Sequence, residues 1–96
     1  MMKILVIENE IAGKRKEEFL PHLRSEASEI WCLYQDDVIR EIYFDNKNQR
    51  AILILECKDA EEAKERLSEL PLVKEKLIQF EIIPLSPYPG YSRLFK

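Results

Sequence analysis

The stretch that decides the fold is Val38-Ile39-Arg40-Glu41-Ile42-Tyr43-Phe44-Asp45-Asn46-Lys47-Asn48-Gln49-Arg50-Ala51-Ile52-Leu53-Ile54-Leu55-Glu56-Cys57. Alternation puts Val38, Arg40, Ile42 and Phe44 on one face of a strand and Ile39, Glu41 and Tyr43 on the other. After a run of turn formers, Asp45 to Arg50, a second strand sets Ala51, Leu53, Leu55 and Cys57 against Ile52, Ile54 and Glu56. The hairpin is apolar on both faces. An antiparallel sheet commonly wets one face, so this pair needs cover from two sides.

Outward from the hairpin, Lys3 to Glu8 is a β-branched-rich run with Ile4 and Val6 alternating with Leu5 and Ile7, the pattern of a central strand. Phe19, Leu20, Leu23, Ala27, Ile30, Trp31 and Tyr34 recur at helical spacing, with Arg24, Glu26, Glu29 and Gln35 on the other side. This predicts one long helix to about Tyr34, bent at Pro21, which cannot donate a backbone hydrogen bond. Asp36 and Asp37 end it. Beyond the hairpin, Asp59 with Glu62 is an N-cap pair opening a second helix whose buried stripe is Ala60, Ala63, Leu67 and Leu70. Pro71 ends that helix, Leu72 to Leu77 is a connecting turn, and Ile78 to Ile83 is a fourth strand. Residues 84–96, with Pro84, Pro87, Pro89, Tyr88, Tyr91 and Phe95, form an extended aromatic arm that calls for a docking surface.

The order strand, helix, strand, strand, helix, strand predicts one α+β domain over residues 1–96, the ferredoxin-like βαββαβ plan. Right-handed crossovers put both helices on one face of a four-stranded antiparallel sheet. The opposite face then keeps Ile39, Tyr43, Ile52 and Ile54 with an apolar pair from the first strand. Six such side chains at roughly 1.5 to 3 kcal/mol each amount to about 10 kcal/mol, comparable to a domain's whole net stability of about 5 to 15 kcal/mol. A second copy packed sheet to sheet would bury them and form a dimeric α/β barrel.

A net charge of -3 over 96 residues offers no basic stripe, which argues against nucleic acid as a partner. No segment approaches the ~20 apolar residues of a membrane span, and the opening Met1 to Glu8 run is too short for a signal-peptide core. Cys32 and Cys57 lack a CxxC spacing and are expected to be buried reduced thiols. The expected location is the cytoplasm.

Several segments carry a likeness: the opening strand, the helix end Ile30-Trp31-Cys32-Leu33-Tyr34, the strand Val38 to Phe44, and above all Leu67-Ser68-Glu69-Leu70-Pro71-Leu72 before the final strand. In these the chain resembles the muconolactone isomerase-like family of dimeric α/β barrel proteins, and its Tyr88-Pro89-Gly90-Tyr91 tail is similar to that of uncharacterised members. The resemblance implies a ferredoxin-like dimer and a cofactor-free isomerase that shuttles a proton, with Arg40 matching an arginine on the second strand. Lys47-Asn48-Gln49 stands where that family carries a carboxylate.

Polar residues within strands are the candidate catalytic groups: Arg40, Glu41, Tyr43 and Glu56, since desolvation or pairing there would tune them for acid–base work. The competing reading is an ion pair of Arg40 with a glutamate that fixes strand register or the dimer seam. Trp31, Tyr34 and His22 are the ligand-binding candidates, although aromatics placed as Trp31 and Tyr34 are more often core than ligand platform. The single histidine has no ligand partner at metal spacing and no glycine-rich loop exists to cradle phosphate, so neither metal nor cofactor is expected. The function expected is a homodimer binding a small, mostly apolar organic molecule, with isomerase-like chemistry. The alternative is a non-enzymatic assembly or stress-related module whose polar strand residues stabilise the dimer and whose arm binds a partner subunit, as in a higher oligomer, or another protein. An open cavity lined by Arg40 and a glutamate favours the first; one filled by Tyr43, Trp31 and Phe95 favours the second.

Overall fold

A computed structural model describes residues 1–95. The β-branched runs form the strands expected of them: β1 is Met2–Glu10, β2 Ile39–Phe44, β3 Ala51–Cys57 and β4 Ile78–Pro84. All pair antiparallel in the order β2-β3-β1-β4, the α+β arrangement expected from the sequence. The hairpin turn is organised by Asp45, whose carboxylate accepts from the Lys47 amide at 2.9 Å and from the Arg50 guanidinium at 3.2 Å. Those bonds, the Lys47 amide foremost, hold the Asp45 carboxyl below its ordinary value.

Between β1 and β2 the chain is helical throughout. α1 (Lys16–Phe19) runs through a 3-10 turn, Leu20–His22, into α2 (Leu23–Gln35). Pro21 sits in that turn, where its missing N–H leaves no gap in an α-helical ladder. α2 ends in a Schellman closure: the Val38 amide donates to the Leu33 carbonyl and the Asp37 amide to the Tyr34 carbonyl, with Asp37 left-handed at φ 62°. After the hairpin comes α3 (Ala60–Ser68), and then α4 (Pro71–Lys74), a helical turn where a plain connection was expected. Pro71 therefore opens a new turn three residues beyond the end of α3, at the first helical position where proline is well tolerated.

The core lies between the helices and one sheet face. Ile4 and Val6 of β1, Leu53, Leu55 and Cys57 of β3, and Ile39 of β2 meet Leu33, Ala63, Leu67 and Leu70 there. Ile39 was expected on the opposite face. A β-bulge between Ile39 and Glu41 explains the exchange: Ile39 opposes Leu55 and Glu41 opposes Ile54, so Arg40 is the extra residue. Ile39, Ile42 and Phe44 consequently share the helix side, while Glu41 and Tyr43 keep to the other. That other face has Leu5, Ile7, Ile52, Ile54 and Ile83 at its centre, all half-buried, with Lys3, Glu41, Glu56 and Glu81 around them.

The chain after β4 leaves the body. The Leu85 amide still donates to the Lys3 carbonyl at 2.9 Å, and a 3-10 segment, Gly90–Phe95, follows further out. The molecule measures 58 × 28 × 20 Å. Its radius of gyration of 15.4 Å exceeds the roughly 12.5 Å of a compact chain this long. The arm is the source of the difference, since its side chains from Tyr88 to Phe95 are largely exposed.

Candidate functional site

The buried side of the helical run is narrower than the apolar stripe in the sequence. Leu33 is buried and Phe19 and Ile30 are partly so, whereas Leu20, Leu23, Trp31 and Tyr34 stand about half exposed along the flank. Glu26, expected to face water, lies half-buried instead and accepts a hydrogen bond from the Leu72 amide at 3.0 Å. It thereby satisfies an amide in the first turn of α4, whose own N-cap, Leu70, has no side chain able to do so. Burial pushes the Glu26 carboxyl above its ordinary value, opposed by that backbone bond and aided by Glu8 and Glu29. Its place at helical spacing between Phe19 and Leu33 is on the side that turns out to be buried, which the richer stripe through Leu20, Leu23, Trp31 and Tyr34 masks in the sequence.

The exposed flank of α2 and edge strand β2 bound an open groove. Two adjoining hollows of about 450 and 520 Å³ share Trp31, Tyr34 and Arg40 in their walls, each within the range of about 300 to 1,000 Å³ usual for small-molecule sites. Ala27, Ile30 and Ile42 complete the apolar side, and Asp37, Glu41 and Tyr43 bring polar groups to the rim. Trp31 and Tyr34 stack with ring centroids 5.6 Å apart and planes inclined by 27°. With Trp31 56% exposed, the pair forms a wall and not a piece of core.

Arg40 lines this groove at the bulge, where the regular pairing of β2 with β3 is interrupted. Its ion pair with Asp37 is long, 3.8 Å, and both partners are well exposed. Such a contact contributes little, so the guanidinium keeps its donors available. Within the chain no glutamate pairs with Arg40 among the described residues, its ion pair there being the one with Asp37. On the rim, the Tyr43 hydroxyl donates to the Glu41 carboxylate at 2.8 Å. That bond, reinforced by the charge of Glu41, holds the phenol protonated above its ordinary value.

Five of the candidate residues thus converge: Arg40, Glu41, Tyr43, Trp31 and Tyr34. Two do not. Glu56 pairs across the sheet with Lys3 on the open face, and His22 closes the 3-10 turn ahead of α2. The thiols also divide, for Cys57 is buried and its pKa is raised by that burial and by Glu62, whereas Cys32 is exposed. No cluster of three metal-binding side chains occurs among the described residues, and none of their helices is long and apolar enough to cross a membrane. No protein-family model matches the chain, and no curated protein matches it.

Proposed function

We propose that the protein is a homodimer, packed through its open sheet face, that binds a small and mainly apolar organic anion in the groove between α2 and β2. The observation that carries this reading is Arg40, turned by the bulge toward the stacked rings of Trp31 and Tyr34 with no strong competitor for its charge. A guanidinium fork matches a carboxylate or similar oxyanion in two parallel bonds. An aromatic wall beside it suits a flat apolar body. The groove is open and lined by Arg40 and Glu41, which favours a ligand over a packed assembly seam.

In the isomerase-like form of this reading, the proton carriers are Glu41 and Tyr43. A carboxylate that accepts from a protonated phenol at 2.8 Å is a donor–acceptor couple needing no cofactor. The likeness to the muconolactone isomerase-like family supports the dimer of this reading, while the carboxylate which that family carries before the third strand is replaced here by Lys47-Asn48-Gln49. The assembly reading draws on a different observation, the aromatic arm that stands away from its own body.

The probe for the site is anilinonaphthalene sulfonate, an apolar aromatic anion, with a neutral aromatic amide as its uncharged control. Arg40→Ala is expected to keep the dimer mass by sedimentation and to weaken the anion about 10- to 100-fold, since a hydrogen bond to a charged group contributes roughly 1.5 to 3 kcal/mol. The neutral control should bind as before. Equal loss for both probes, or a change of mass, would show Arg40 to be structural and sink the proposal.

A further inference from the structure

We infer that the C-terminal arm of one copy seats in the α2/β2 groove of a second copy and supplies the wall that the site lacks. The inference rests on the homodimer proposed above, and commits its arm to one occupant.

The arm is shaped before it meets anything. The Tyr88 ring lies over Gly90, where a larger residue would push that exposed ring aside. Tyr88 and Tyr91 meet edge to face at 5.1 Å, and both the amide and the hydroxyl of Ser92 donate to the Pro89 carbonyl. An element already ordered loses less entropy on docking. Yet its outer side chains meet little of their own body: Tyr91 is 68% exposed, Leu94 76% and Phe95 84%. The groove shows the opposite deficit, an apolar wall with nothing laid against it. Arm and groove flank are both runs of exposed aromatic and aliphatic residues.

Topology says how they meet. Ile4 pairs with both Leu55 and Pro84, and Leu55 pairs with Ile39. Pro84, where the arm leaves, and Ile39, where the groove begins, therefore lie at the same end of the sheet but on its two opposite edges. Three strand spacings, about 14 Å, separate them, and the arm runs outward instead of across, as the 58 Å long axis records. Now let two sheets pack face to face about a two-fold axis parallel to the strands. That operation lays the β4 edge of one copy over the β2 edge of the other and keeps the strand ends together. Each arm then emerges beside its partner's groove, and the exchange is mutual and closed. Charge agrees by one unit: the arm carries Arg93, and the groove rim carries Asp37 and Glu41 against Arg40.

Trp31, the chain's single tryptophan, reports directly on the groove. Emission and acrylamide quenching of the ligand-free protein are measured beside mass by sedimentation. The expected result is a dimer with a shielded, blue-shifted Trp31. A Tyr91→Ser/Phe95→Ser variant, altered only at exposed positions, should keep the dimer mass and lose the shielding. That variant is then unfolded and refolded together with a Trp31→Phe chain whose arm is intact. In the mixed dimer every tryptophan belongs to the copy with the disabled arm, so a return of the blue shift means that the arm came from the other copy. Three results would overturn the inference. A Trp31 equally quenchable in the parent and the arm variant leaves the groove empty, and no recovery in the mixed dimer means that the arm folds back on its own groove. Both would spare the dimer. A monomeric mass would remove the dimer and the inference together.

Discussion

Glu26 and Arg40 both owe their roles to a departure from simple alternation. Arg40 could be singled out in the sequence because an arginine inside a strand is conspicuous, although which way it turned was not legible. Glu26 could not, because helical spacing there fits two stripes, one through Leu20, Leu23, Ala27, Trp31 and Tyr34 and one through Phe19, Glu26, Ile30 and Leu33, and the richer one lies on the exposed flank. The carboxyl of Glu26 is raised chiefly by burial, so the folded state favours its protonated form. Its stabilising contribution is therefore fully present below the unfolded-state pKa and is lost as pH rises through the raised folded value. At neutral pH its charge is a cost. Glu26→Gln keeps an oxygen for the Leu72 amide and removes that cost, including repulsion from Glu8 and Glu29. Melting at pH 7 should rise by less than about 1 kcal/mol in stability, the carboxylate being still partly solvated. The gain should shrink as the pH is lowered toward that of an ordinary carboxyl group. A gain that grows on acidification would contradict the assignment.

At the scale of elements, caps and strands were read well and their meeting points less so. Asp59 does cap α3, accepting from the Glu62 amide at 2.9 Å, while the Glu62 carboxylate reaches back to the Lys58 amide at 2.9 Å. Asp59→Ala removes the first of these bonds. The expected loss is about 1 kcal/mol, or a fall of roughly 4 to 8 °C in melting temperature for a domain of this size. Asp59→Asn should recover most of it. Thermal melts followed by circular dichroism decide the point, and an unchanged midpoint would mean that Glu62 alone holds the start of α3. Local chemistry of this kind is visible in sequence because its partners lie within four residues. The bulge in β2 is not, since it depends on which residues of β3 and the helices face Ile39. A slip of one residue reverses every face of a strand, and here it moved Ile39 into the core and left Arg40 free to turn toward α2.

For the whole molecule, the question is what covers the second sheet face. The pattern of paired apolar faces was legible from the start, and correcting Ile39 only changes the membership, with Ile83 now beside Leu5, Ile7, Ile52 and Ile54. These side chains are half-buried in the single chain, enough to stay folded but not to be satisfied. Ile54 is central among them, pairing with Leu5 on one side and Glu41 on the other. Ile54→Asp places a carboxylate there in each copy. Within one copy it remains near water and should lower stability only modestly. Within a sheet-to-sheet dimer two unpaired charges would be buried, each costing several kcal/mol, so the dissociation constant should rise by at least about 100-fold. Sedimentation at a series of concentrations is expected to show a folded monomer under conditions where the parent sediments as the proposed dimer. The comparison also separates the two surfaces of this molecule, because the substitution leaves the arm and the aromatic wall of the groove, Trp31 and Tyr34, in place. A dimer that survives Ile54→Asp would have to be held by the arms alone, and its sheet face would need a different partner.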